Sequence, residues 1–196
     1  MNSQGLTLID AILPKFQDKR LTLAKEIVLI FSFALFTGFC AKIKIEIGTV
    51  PITLQTLAVL LSGALLGKIR GAASQLAYLL LGLAGIPWFA RGGGISYIFS
   101  PTFGYLLGFV LAAYFVGWLC EKGFDRKIHT ATFAMLMGNI ILYFPGLLWL
   151  AKFVGLKKAF AVGLYPFIIG DFFKILLAAS ILPLAWKFFG CFNKPK

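Results

Sequence analysis

The sequence predicts an all-α membrane protein, a bundle of six transmembrane helices with both termini in the cytoplasm. Three observations predict it. The 196 residues are 60% hydrophobic and only 13% charged, with a mean hydropathy of +0.90, whereas soluble domains carry about 25% charged residues. The apolar residues form blocks, near 21–41, 51–66, 71–87, 101–120, 130–151 and 164–189, and about 20 apolar residues cross a hydrocarbon core of roughly 30 Å. The cations are segregated. With six crossings, twelve lysines and arginines (15, 19, 20, 25, 68, 70, 122, 126, 127, 187, 194 and 196) share one side and six (42, 44, 91, 152, 157 and 158) the other. The richer side is cytoplasmic.

The first twenty residues, "MNSQGLTLIDAILPKFQDKR", lack the apolar core and small-residue cleavage site of a signal peptide. They predict a cytoplasmic extension over 1–20, followed by the membrane domain over 21–189 and a tail over 190–196. The block at 51–66 is short for a crossing. Either it spans, with Pro51 in its first helical turn, or it is re-entrant and every later loop changes side. The third and fourth blocks are joined by "WFARGGGISYIFS", a glycine-rich loop that is either a tight connection or a lid. Trp118, Trp149 and Trp186 fall near block ends, where indole rings favour the headgroup level. Cys40, Cys120 and Cys191 are scattered and odd in number, which argues against a disulfide framework. The net charge of +12 comes without a basic run, so it reads as membrane orientation and not as nucleic-acid binding. No inverted repeat is evident.

Several chemistries are excluded. The single histidine, His129, has no cysteine or carboxylate cluster at metal-ligand spacing. The closest approach to a phosphate-binding loop, "GALLGKI", has one residue too few between its glycines and no serine or threonine for magnesium. Of seven acidic residues only Asp171 lies deep in an apolar block, so paired carboxylates are missing. The expectation is a protein with no metal, no cofactor and no enzymatic activity.

What remains is a set of polar side chains at membrane depth, where a charge costs about 2.5–3.5 kcal/mol on insertion scales. Asp171 and Lys174 stand at i and i+3 on one helix face. Two readings stay open: the pair only seals helices together, or a polar ligand completes it. Arg91 is the lone cation of the glycine-rich loop, with Trp88 among the aromatics beside it. "PITLQT", residues 51–56, brings Gln55, an amide with donors and acceptors, while Thr53 and Thr56 suit backbone hydrogen bonding. Asn139 and Tyr143 share a face at i and i+4, as ligand contacts or as helix-to-helix glue. Gly104, Gly108 and Ala112 form a small-residue ridge for internal packing.

Taken in order, "VPITLQTLAVLLSGALLGKIRGAASQLAYLLLGLAGIPWFARGGG", "SPTFGYLLGFVLAAYFVGWL" and "YPFIIGDFFK" resemble the BioY family, the biotin-specific S components of energy-coupling factor (ECF) transporters. The resemblance covers about residues 25–185. It implies the ECF S-component fold, a six-helix bundle with a substrate pocket near the outer face, and a multi-pass place in the cell membrane among lipid. It implies biotin as substrate, captured outside and delivered inward. The ureido ring would meet Asp171 with Gln55 or Asn139, the valerate carboxylate Lys174 or Arg91, and the thiophane ring aromatic walls such as Tyr78, Trp88 or Tyr143. It also implies an ECF transmembrane coupling subunit and ATPase subunits as partners, docking on Ala34 and Gly38, with glycine where a second alanine is common. Whether the chain acts alone or as a homo-oligomer is left open. The alternatives are an S component for another vitamin or a biotin precursor, and a structural or assembly protein without a small ligand.

Overall fold

The computed structural model describes residues 5–13, 16–46 and 48–192, excepting the side chains of 190–192. Lys15, Lys194, Lys196 and the Cys191 side chain lie outside the described residues; Cys40 and Cys120 are free and buried. A short helix α1 (Leu8–Ile12) precedes α2 (Lys19–Lys42). Asp18 caps α2, its carboxylate accepting from the Arg20 amide at 2.8 Å. A two-stranded antiparallel hairpin follows, β1 (Lys44–Ile45) and β2 (Ile52–Thr53). Then come α3 (Gln55–Leu66), α4 (Lys68–Leu83), α5 (Phe103–Glu121), α6 (Ile128–Val154), α7 (Leu156–Gly163) and α8 (Tyr165–Phe192).

The six apolar blocks appear as α2, α3, α4, α5, α6 and α8, with α4 moved to Lys68–Leu83 and the start of α3 moved to Gln55. Pro51 is not in a helical first turn. It precedes β2, and α3 begins only at Gln55, whose amide is accepted by the Thr53 hydroxyl at 3.3 Å. Among the described residues four helices, α2, α5, α6 and α8, are long and apolar enough to cross a membrane, and α3 is a shorter apolar helix. α3 and α4 meet at Gly67, whose φ of 85° reverses the chain. α3 leaves the hairpin end and α4 returns to it. Glu121 secures the reversal, accepting from the Lys68 amide at 2.9 Å.

α5 is the centre of the bundle, packed on α3, α4 and α6. Small residues bring the backbones together, as helices in lipid require. A Cβ at Gly63 would stand 2.4 Å from the Ala113 carbonyl oxygen, and one at Gly108 2.3 Å from that of Leu142. Gly104, Gly108 and the fully buried Ala112 therefore pack internally, as expected. A polar layer ties α2, α3 and α4: the Gln75 amide donates to Thr37 at 3.1 Å and Ser62 at 3.0 Å. The outer surface exposes large apolar side chains, Leu35, Phe39, Phe144 and Phe173 among them, the pattern of a lipid-facing bundle.

Helix α1 is tied to the bundle. Asp10 of α1 receives both terminal nitrogens of Arg70, at 2.9 and 2.5 Å, a bidentate pairing that holds α1 against the reversal at Gly67.

Candidate ligand-binding site

At the hairpin end of the bundle, α8 presents Asp171 and Lys174, with side chains 6% and 11% exposed. Asp171 Oδ1 accepts from Lys174 Nζ at 2.9 Å and from the Thr56 hydroxyl at 3.1 Å, and Oδ2 accepts from the Tyr143 hydroxyl. Lys174 also donates to the Thr53 carbonyl at 2.8 Å and to Thr56 Oγ1 at 2.9 Å. All three ammonium donors and both carboxylate oxygens are satisfied, which is what burial of such a pair demands. The network joins α3, α6 and α8.

Beside it lies a cavity whose polar wall is Thr53, Gln55, Thr56 and Tyr143, and whose aromatic wall includes Tyr97, Tyr105, Phe109 and Phe167. The hydroxyls of Thr56 and Tyr143 therefore belong to both wall and ion-pair network. The water-accessible space is about 40 Å³. That holds a few waters at about 10–15 Å³ each, against the 300–1,000 Å³ typical of ligand pockets. A vitamin-sized molecule enters only if the roof or the wall moves.

The roof consists of residues 43–46, 48–54 and 84–102, strapped together by three cations. Lys42 donates to the Pro87 and Phe89 carbonyls at 2.6 and 3.0 Å, and Lys44 to the Ala90 carbonyl at 2.7 Å. Arg91 reaches the opposite way, to Glu46 at 2.7 Å and to the Gly48 and Thr49 carbonyls at 2.8 and 3.0 Å. The Arg91 and Lys44 hydrogen bonds hold the Glu46 carboxyl at about 2, below its ordinary 4.5. A depressed carboxylate favours the paired state fully above its unfolded value and loses that hold as pH falls through the folded one. A spin label at the exposed Ile45 should thus keep constant mobility from neutral pH down to 4.5 and loosen between 4.5 and 2.

The structure brings together Asp171, Lys174, Gln55 and Tyr143 but distributes the other expected residues differently. Tyr78 and Trp88 are not cavity walls. Tyr78 accepts from the Gln55 amide at 2.8 Å and donates to the Trp88 carbonyl at 3.2 Å, while the Trp88 indole donates to the Tyr78 carbonyl at 2.9 Å. They brace Gln55 from behind. Arg91 is spent on the roof. Asn139 lies one turn from Tyr143, away from the cavity wall; its Oδ1 is buried without a hydrogen-bond partner among the described residues. Ala34 and Gly38 need correction as a docking ridge: Ala34 is fully buried, and Gly38 faces Trp88, whose Cβ would be 3.2 Å from an added Cβ. Their face of α2 is turned into the bundle. Thr56 bonds the ion pair and not a backbone carbonyl. The sequence does not distinguish Tyr105, Phe109 and Phe167, because aromatic residues in apolar blocks suit lipid, core and pocket alike.

The BioY family model matches residues 13–190. A probable biotin transporter BioY of Pyrococcus horikoshii is 42% identical over 159 residues, covering 81% of this chain and 94% of the relative. The biotin transporter BioY of Thermotoga maritima is 39% identical over 154 residues, covering 78% and 89%. The fold matches the crystal structure of the S-component for biotin from an ECF-type ABC transporter with a TM-score of 0.75 at 24% identity, covering 88% of this chain and 95% of that one. The chain belongs to the BioY family.

Proposed function

We propose that this chain is the biotin-binding S component of an ECF transporter, a multi-pass membrane protein that takes biotin from the outer side and delivers it inward with an ATP-driven module. The observation that carries the reading is a satisfied carboxylate–ammonium pair at membrane depth that shares Thr56 and Tyr143 with a polar-and-aromatic cavity. Biotin offers what such a wall takes: two ureido N–H donors for Asp171 and Gln55, a carboxylate for Lys174, and an apolar bicycle for Tyr105, Phe109 and Phe167. Binding then exchanges partners within the network, so no charge is left bare.

In this reading α2, α3, α4, α5, α6 and α8 all cross the membrane, the roof faces outward, and both termini lie on the cation-rich cytoplasmic side. The domain plan is the cytoplasmic extension 1–20, the membrane domain 21–189 and the tail 190–196. The energy comes from partner ATPase subunits through a coupling subunit. Asn139, with its open carbonyl, stands behind Tyr143 as a reserve acceptor.

Titration calorimetry of the detergent-purified chain tests this. Biotin is expected to bind once per chain and desthiobiotin more weakly, while an unrelated vitamin such as thiamine gives no heat. No response to biotin, or equal response to all three, removes the reading. Gln55→Leu, which takes one donor–acceptor group from the wall, should weaken biotin about tenfold, or ~1.4 kcal/mol.

A further inference from the structure

A second cleft, of about 400 Å³, opens at the other end of the bundle between the start of α6 and the last third of α8. Ile128 and Tyr143 are fifteen residues apart on α6, so this cleft lies about 22 Å from the cavity described above. We propose that it holds the headgroup phosphate of an anionic phospholipid of the cytoplasmic leaflet.

The charge argument comes first. Arg126, Lys127, His129 and Lys187 line the cleft, and among the described residues no acidic one lines it. The neighbouring Asp125 is 1% exposed and accepts from the Trp186 indole at 2.5 Å. The cleft also contains the start of a 27-residue helix whose first turn has no side-chain cap. Its amides and dipole favour an anion there.

Membrane chemistry then separates lipid from soluble phosphate. Ile128, Leu184 and Phe188 are 59%, 62% and 63% exposed around the same end of α6 and α8, an apolar track that suits acyl chains and is useless to a soluble ion. The cation-rich end is the one that faces the cytoplasmic leaflet, where anionic headgroups attract basic pockets between helices. The site is separate from the proposed biotin site and does not depend on its assignment.

Native mass spectrometry of the full chain tests it with phosphatidylglycerol, phosphatidylcholine and inorganic phosphate as probes, with the midpoint of thermal unfolding as the control for folding. One phosphatidylglycerol should be retained per chain at about tenfold lower lipid concentration than phosphatidylcholine, about 1.4 kcal/mol. Lys127→Ala with Lys187→Ala should abolish the preference, and Lys127→Arg with Lys187→Arg should keep it. Should the alanine pair fail to fold, Lys187→Gln alone should still reduce the preference severalfold. Equal retention of the two lipids, a preference that survives the alanine pair, or a preference lost in the arginine pair overturns the proposal. Displacement of the lipid by millimolar inorganic phosphate overturns it too, by assigning the cleft to a soluble anion.

Discussion

Asp171→Asn is expected to weaken biotin binding at least about tenfold, or ~1.4 kcal/mol, and to destabilise the bundle as well. The carboxylate receives Lys174, Thr56 and Tyr143. An amide of the same shape keeps one acceptor but neither the charge nor the second acceptor. Lys174, 11% exposed, would then face neutral acceptors alone: the amide oxygen, the Thr53 carbonyl and the Thr56 hydroxyl. Breaking a buried pair by removing one member costs about 3–5 kcal/mol, mostly because the survivor stays buried and charged. The loss alone does not tell a ligand site from a helix seal, since both predict it. The double replacement Asp171→Asn with Lys174→Met does. Removing both charges leaves no bare ion, and such replacements are commonly neutral in stability. Thermal unfolding in detergent should therefore recover most of the loss, while calorimetry with biotin should show no recovery. If affinity returns with stability, the pair is a seal and the site assignment falls.

Those two residues were legible because a charge in an apolar block has few explanations. Gln55 and Tyr143 were legible for the same reason in weaker form. The helices were legible from block length; the start of α3 moved because residues 52 and 53 pair with β1 and a two-residue strand carries no periodic signal, and α4 shifted to Lys68–Leu83. Faces were harder. Four-residue spacing puts Ala34 and Gly38 on one side of α2, yet which side meets the bundle is decided by Trp88, fifty residues away in sequence. Arg91 illustrates the same limit. Its isolation in the outer loop suggested a ligand cation, and its carbonyl and carboxylate partners come from the hairpin, a contact that local sequence does not announce.

Gly108→Ala should lower both stability and biotin affinity, whereas Gly170→Ala should lower neither, although Gly170 is the direct neighbour of Asp171. The added methyl at Gly108 would sit 2.3 Å from the Leu142 carbonyl oxygen and 3.0 Å from its carbonyl carbon and Cα. These are backbone atoms, so no side chain can swing aside; α6 must retreat by about 1 Å, and such overpacking costs about 1–3 kcal/mol. The retreat occurs at the cavity itself. Leu142 lines it on α6, Tyr105, Leu106 and Phe109 line it on α5, and the next residue, Tyr143, carries the hydroxyl that holds Asp171. A displaced Tyr143 loosens the carboxylate that the ureido group is proposed to meet, so affinity should fall about tenfold, or ~1.4 kcal/mol. At Gly170 a new Cβ meets nothing within 4 Å, and alanine is favoured over glycine inside a helix by about 0.8–1.0 kcal/mol. There the melting temperature should hold or rise, and affinity should stay within about twofold, the scale of an uninvolved substitution. Thermal unfolding and calorimetry on the two variants decide the matter. Unchanged affinity in a folded Gly108→Ala protein would mean that the α5–α6 contact does not shape the site.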